Sequence, residues 1–282
     1  MAAPINAPTT ARPGPAASGR GRAVQPWGFA FREFRYWLTN YRRTWRGSVI
    51  SSVLGPVLYL SAMGAGLGTL VNRHSSASLG GVTYLAFISP GLLAATAMQT
   101  GFGEGMYPVL GSVKWIQNYF AAAAGPLRPA DVFRGHLMFV TLRLFMTCGI
   151  FLAVIAAFGA VRSPLDILAL PAAVLTGLAF APGLMAWSVT RTTDVSFAVL
   201  MRFVMVPLFL FSGTFFPISQ LPGWLQPVAY VTPLWHGVAL CRSLALGHVD
   251  LGGAAVHVGY LLVLALAGCV AAQRTYTKRL YE

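Results

Sequence analysis

The chain has 282 residues, of which 56% are hydrophobic and only 10% charged, with a mean hydropathy of +0.65. A soluble domain carries about 25% charged residues, so this composition excludes a water-facing globular surface, and the apolar residues fall in blocks of about 20, enough to cross a hydrocarbon core of roughly 30 Å. Twenty Lys and Arg against seven Asp and Glu give a net charge of +13, but the basic residues gather at one end and in alternate loops, which fits membrane topology and anionic headgroups rather than nucleic acid.

Residues 1–26 are rich in Ala, Pro, Gly and Ser, with Arg12, Arg20 and Arg22 as their charges. Without an apolar core they make no secretory signal and read as a disordered basic tail. From 27 to 46 the pattern changes. Trp27, Phe31, Phe34, Leu38, Tyr41 and Trp45 recur at steps of three and four and so share one helical face. Arg32, Arg35, Arg42, Arg43 and Arg46 fall largely elsewhere on the wheel, which predicts an amphipathic helix lying in the membrane interface.

Six apolar spans follow within residues 47–280, at about 48–70, 82–103, 136–160, 167–190, 196–216 and 253–273. Pro56, Pro90, Pro171, Pro182 and Pro207 lie inside them and predict kinks, which membrane helices tolerate because neighbours re-satisfy freed carbonyls. Gly64 and Gly68 form a GxxxG spacing that permits close helix contact. Cys148, Cys241 and Cys269 are far apart and read as small packing residues. The fold class is therefore an all-α polytopic membrane protein of six transmembrane helices, led by an interfacial helix.

Charge in the loops orients the chain. The N-terminal segment, the 104–135 loop (Lys114, Arg128, Arg134), Arg191 and the tail (Arg274, Lys278, Arg279) carry fifteen basic residues, whereas Arg73, Arg162 and Arg242 make three on the opposite side. That asymmetry places both termini in the cytoplasm of a bacterial inner membrane protein. Residues 217–250 are apolar but broken by Pro217, Pro222, Pro227 and Pro233, which forbids a straight span. They read as short helices that dip into the outer leaflet and return.

Catalytic signals are missing. The two lysines, Lys114 and Lys278, follow Val113 and Thr277, so there is no Gly-Lys pair to cradle a nucleotide phosphate. Of the acidic residues only Glu104 sits at the edge of a span, which leaves no carboxylate ladder for a proton relay. His74, His136, His236, His248 and His257 have no metal-like spacing. Arg143 and Arg202 lie within spans, each about two turns, or roughly 10 Å, from the cytoplasmic end. Two readings stand for them: snorkelling to the inner headgroups, or lining a cytoplasmic-leaflet entrance for an anionic or polar headgroup.

The stretch FSGTFFPISQLPGWLQPVAYVTPLWHGVALCRSLALG (211–247), with YLAFISPGLLAATAMQ (84–99) and PLRPADVFRGH (126–136), resembles the ABC-2 type permeases. The likeness is to nodulation lipo-oligosaccharide exporters and daunorubicin-resistance-type drug exporters, and it covers roughly residues 27–280. It implies a six-span half-transporter that pairs with a second permease subunit in the lipid bilayer. Separate ABC ATPase subunits would supply the energy, so ATP and Mg bind the partner and this chain holds no cofactor. It further implies an amphipathic substrate, such as a drug, a lipid or a lipid-linked saccharide. By resemblance, coupling to the ATPase falls on the stretch containing Pro126, Leu127, Arg128, Pro129, Asp131, Arg134 and Gly135. The external gate falls on Gly213, Pro217, Leu221, Pro222, Trp224, Pro233 and His236.

Overall fold

A computed structural model describes residues 26–68 and 82–281; the expected tail, with the loop carrying Arg73 and His74, lies outside them. The described chain is helical throughout. Helix α1 (Pro26–Ser61) continues into a π-helical stretch at Ala62–Leu67. It is followed by α2 (Tyr84–Leu110), the short α3 (Asn118–Ala123), α4 (Pro129–Ala157) and α5 (Ala169–Ser188). The chain closes with α6 (Val195–Phe211), two short external helices α7 (Gln226–Val231) and α8 (Pro233–Leu246), and α9 (Leu251–Tyr281).

Four helical stretches, Tyr84–Trp115, Pro129–Ala157, Pro164–Ser188 and Leu251–Tyr281, are long and apolar enough to cross a membrane, and Val195–Phe211 is a shorter apolar helix. The interfacial and first spanning segments, separate by sequence pattern, form one unbroken helix. No residue between 46 and 48 stops it, and Pro56 does not end it either. Prolines leave their mark as widened turns: π-helical segments follow Pro108 at Gly111–Trp115 and precede Pro207 at Met201–Met205. A proline ring removes one ladder bond and crowds the carbonyl four residues back, which such a widening relieves.

Helices α2 and α5 form the centre of the bundle, with α4, α8 and α9 packed around them. Their contact is close because it is made by glycine. A Cβ on Gly101 would sit 2.7 Å from the Gly177 carbonyl, so a larger residue would force the helices apart. Helix α1 docks its first half on α4, while its second half and α6 stand at the periphery. Between these outer helices and the α2–α4 pair the bundle is not filled.

Helix α4 begins where its sequence requires. Pro129 occupies the first helical position, where its missing N–H costs nothing, and the Asp131 carboxylate accepts a hydrogen bond from the Arg128 backbone N–H at 3.3 Å. At the other side of the bundle, Thr232 caps α8 by accepting from the Trp235 N–H at 3.3 Å, again with proline next in line.

Candidate functional site

The unfilled region is a cavity of about 480 Å³ enclosed by α1, α2, α4 and α6. Its polar wall comes mainly from α2, where Thr96, Gln99, Thr100 and Glu104 recur at helical spacing and face away from the α5 contact. Pro56 and Tyr59 of α1, Phe151 of α4 and Phe209 of α6 supply an apolar, aromatic wall opposite. Tyr59 and Phe209 meet edge to face with centroids 6.4 Å apart.

Arg143 reaches this cavity from α4, but it is not free. Its Nε donates to Glu104 Oε1 at 2.9 Å and its Nη1 to the Tyr41 hydroxyl at 3.0 Å, while the guanidinium lies 4.9 Å from the Tyr41 ring centre. The pair is only 14% and 17% exposed, so little water screens it. Glu104 and Arg143 also border a second, smaller cavity of about 150 Å³, lined by Asn40, Thr44, Ser48 and Phe139. One ion pair therefore forms the wall between two chambers. Arg202 is exposed on α6, in its π-helical segment, and lines neither chamber.

Residues 212–247 fold over the opposite end as a lid with its own small core of Ile218, Leu221 and Ala229, flanked by Phe216, Leu225 and Trp235. Gly213 turns the chain at φ +78°, which a side chain would strain. Ser212 and Thr232 share a hydrogen bond of 3.1 Å that ties the start of the lid to the α8 cap. Of the residues expected here, Gly213, Leu221 and His236 are buried, Pro217 and Pro233 are half-buried, and Pro222 and Trp224 stand exposed.

Residues 32–246 match the model of the ABC-2 type transporter family. The chain belongs to that family. It is 32% identical to Nodulation protein J of Rhizobium leguminosarum bv. trifolii, over 80% of this chain and 87% of that protein. It is 31% identical to Nodulation protein J of Rhizobium meliloti (strain 1021), over 82% and 88%, and 30% identical to that of Bradyrhizobium diazoefficiens, over 86% and 92%. The molecule is a multi-pass ABC-2 transporter subunit of the membrane.

In this permease the stretch expected to couple to an ATPase is divided. Pro126 and Arg128 are exposed in the turn before α4, and Leu127 is half-buried. Pro129, Asp131 and Gly135 are buried in the first turns of α4, with Arg134 3.9 Å from Asp131. A Cβ on Gly135 would fall 2.5 Å from the Ala30 carbonyl and 2.5 Å from Glu33 Cβ, so this glycine seats α1. Exposed apolar surface near this stretch lies elsewhere: Trp115 and Ile116, at the end of α2, are 61% and 64% exposed.

Several functional neighbours escaped the sequence reading. The face that α1 docks on α4 carries Ala30, Glu33, Trp37 and Tyr41, whereas Phe31 and Trp45 of the expected aromatic face are exposed. Trp37 stacks on His136 with ring centres 3.9 Å apart and donates its indole N–H to Glu33 at 3.0 Å. Burial raises the Glu33 carboxyl to about 7, only partly opposed by that hydrogen bond. His136 Nδ1 meets the Tyr119 hydroxyl, which also accepts from Tyr276 at 3.5 Å, so α1, α3, α4 and α9 join in one polar knot. Burial, with Tyr276 adding to it, holds the Tyr119 phenol well above its ordinary value. In the lid, Arg242 is the unexpected residue: it donates to the carbonyls of Phe87 (3.2 Å), Gly213 (2.8 Å) and Thr214 (3.4 Å) and lies 3.9 Å from the Phe87 ring centre. A single arginine in a proline-rich segment gives no sign in sequence that three carbonyls converge on it.

Proposed function

We propose that this chain is the permease half of an ATP-driven exporter in a bacterial inner membrane, with both termini in the cytoplasm and six spans. Two such halves, identical or not, assemble about a two-fold axis, the default for closed assemblies. Separate ABC ATPase subunits bind ATP and Mg and drive the halves between inward and outward states. The substrate is amphipathic: a drug, a lipid or a lipid-linked saccharide, which enters from the inner leaflet.

The chamber carries this reading. Polar side chains facing a cavity inside an apolar bundle are expensive to maintain and mark a path for polar groups. The surrounding architecture supports it: α1 lies against the chamber along its length, so a tilt of its cytoplasmic half would be felt at Tyr41 and the ion pair. On the cytoplasmic side, exposed Trp115 and Ile116, next to Lys114 in the chain, offer the ATPase an apolar contact, with exposed Pro126 and Arg128 in the turn before α4. The lid, with Gly213, Pro217, Leu221 and His236 within it, closes the exit.

The test is reconstitution. The permease, co-expressed with a candidate ABC ATPase subunit, is purified and placed in inside-out vesicles. ATP-dependent uptake of a fluorescent amphiphile is the expected result, abolished when the ATPase loses its phosphate-binding lysine. A chain that purifies alone and moves the amphiphile without ATP would overturn the proposal.

A further inference from the structure

His236 and His257 lie on different helices, α8 and α9, and the structure brings their Nδ1 atoms to 2.8 Å. That approach is a hydrogen bond between two imidazoles, so one nitrogen donates and the other accepts. The His236 ring also donates to the Tyr230 backbone carbonyl. Because its Nδ1 faces His257, this second bond assigns the His236 proton to Nε2 and makes His257 the Nδ1 donor. Aromatic rings hold the pair in place. Tyr260, one turn beyond His257, stacks on His236 with centres 4.0 Å apart, and Trp235 meets both histidines edge-on at 4.8 and 5.1 Å.

The contact is a seam between the lid, which α8 completes, and α9 behind it. The Tyr260 hydroxyl also crosses this seam and donates to the Val231 carbonyl. Neither histidine makes an ion pair among the described residues. The other titratable groups beside them are the phenols of Tyr260 on α9 and Tyr230 on α7. From α5 comes Thr176, packed on Gly237. The charged groups of this end are engaged elsewhere: Arg242 holds three carbonyls, Asp250 accepts from Gly252 and Gly253 at the start of α9, and Asp166 lies near Cys241, farther along α8.

The pair can carry one extra proton but not two. The first enters at Nε2 of half-buried His257 and leaves the bond intact, now donated by a cation. The second must go to Nδ1 of His236, the accepting atom. Two N–H groups on two cations would then point at each other, and the bond must break. Burial, with His257 adding to it, holds His236 below its ordinary value, opposed only in part by the Tyr230 carbonyl. The open lid therefore takes the second proton more readily than the closed one.

We propose that the His236–His257 bond is an acid-sensitive latch between the lid and α9, shut while the pair carries at most one extra proton and released by the second. In the orientation of the exporter reading the lid faces the exterior, so external acidity eases its opening. Only the placing of the latch at an exit rests on that reading; the latch itself needs no ATPase and no substrate. The sign follows from the lowered His236 value. The stabilisation is complete above the ordinary value of 6.5 and is lost as pH falls below it.

Amide hydrogen exchange of the full chain in nanodiscs, corrected for the intrinsic rate at each step from about pH 8 to about pH 4.5, reads the opening. Protection of residues 226–246 should stay level down to about pH 6.5 and then fall by up to about tenfold per pH unit, the limit for one proton, while 101–110 of α2 stay level. His257→Gln places there an amide that donates to neutral His236 and, turned over, accepts from charged His236, so it should keep the lid shut and flatten the profile. His236→Gln makes the same test from the other side of the seam if His257→Gln does not purify as a folded monodisperse protein. His248→Gln, at an exposed position after α8, and Glu33→Gln, at the opposite end of the bundle, should leave the fall in place. A level wild-type profile, or a fall of full size in both the His257 and His236 variants, overturns the latch. A fall that His257→Gln or His236→Gln abolishes, in a chain that exports nothing with its ATPase, upholds the latch and overturns only the exporter reading.

Discussion

Arg242 offers the sharpest check on the lid. Its guanidinium holds three carbonyls, and two of them, on Gly213 and Thr214, lie in irregular chain outside any helix. Arg242→Met keeps much of the apolar stem but leaves those two carbonyls without their donor. An unsatisfied buried group costs about 1–3 kcal/mol, so the gross loss is about 2–6 kcal/mol; relief from burying a cation brings the net to about 2–4 kcal/mol. The loss is local, because Arg242 joins α8 to the start of α2 and to the turn after α6. Opening of the lid should therefore become easier by a factor of roughly 30 to 1,000 at about 1.4 kcal/mol per tenfold. Amide hydrogen exchange in nanodiscs reads this directly: residues 212–232 should exchange faster by that factor, while 268–281 of α9 stay as in wild type. Arg242→Lys should fall between, since an ammonium keeps the charge but not the planar fork. If the Met variant exchanges like wild type across 212–232, the clasp is not what holds the lid.

Further outcomes follow from the end of the bundle opposite the lid. Gly135→Ala places a methyl 2.5 Å from the Ala30 carbonyl; overpacking of about 1–3 kcal/mol should lower the thermal midpoint, whereas Gly149→Ala in the same helix, with nothing within 4 Å of its Cβ, should leave it level or raise it by its gain of up to about 1 kcal/mol in helix propensity. Equal effects at the two sites would remove the close contact from the argument. Glu33 titrates near 7 when α1 is docked against 4.5 when it is free. The docked state thus holds the extra proton between those values, so docking of α1 is strongest below about pH 4.5, weakens as pH rises through 7, and is flat above, by up to about 3 kcal/mol in all. Glu33→Gln should flatten that profile, read by fluorescence of Trp37 on His136; an unchanged profile would assign the dependence to another group. Trp115→Ser with Ile116→Ser should cut ATPase co-purification at least tenfold with little shift in the midpoint of the isolated permease, as expected for an exposed apolar hot spot; undiminished co-purification would place the docking surface elsewhere.

Much of the fold was legible because hydropathy and proline act locally. The apolar blocks from 82 onward follow from residues next to one another in the chain, but the start of α4 does not: the helix begins at Pro129, inside the stretch read as the 104–135 loop. What the sequence hid is tertiary. The partner of Arg143 is 39 residues away and its second partner 102 away, and no spacing rule links them. The docked face of α1 was only partly visible: Tyr41 of the aromatic stripe packs, but Phe31 and Trp45 are exposed, and the face turns instead through Glu33 and Trp37. Charge misled most. An arginine within a span invites a search for an anionic ligand, yet Arg143 is satisfied by a carboxylate of the protein itself, as Arg242 of the lid is by carbonyls. A satisfied charge has little left to give a ligand.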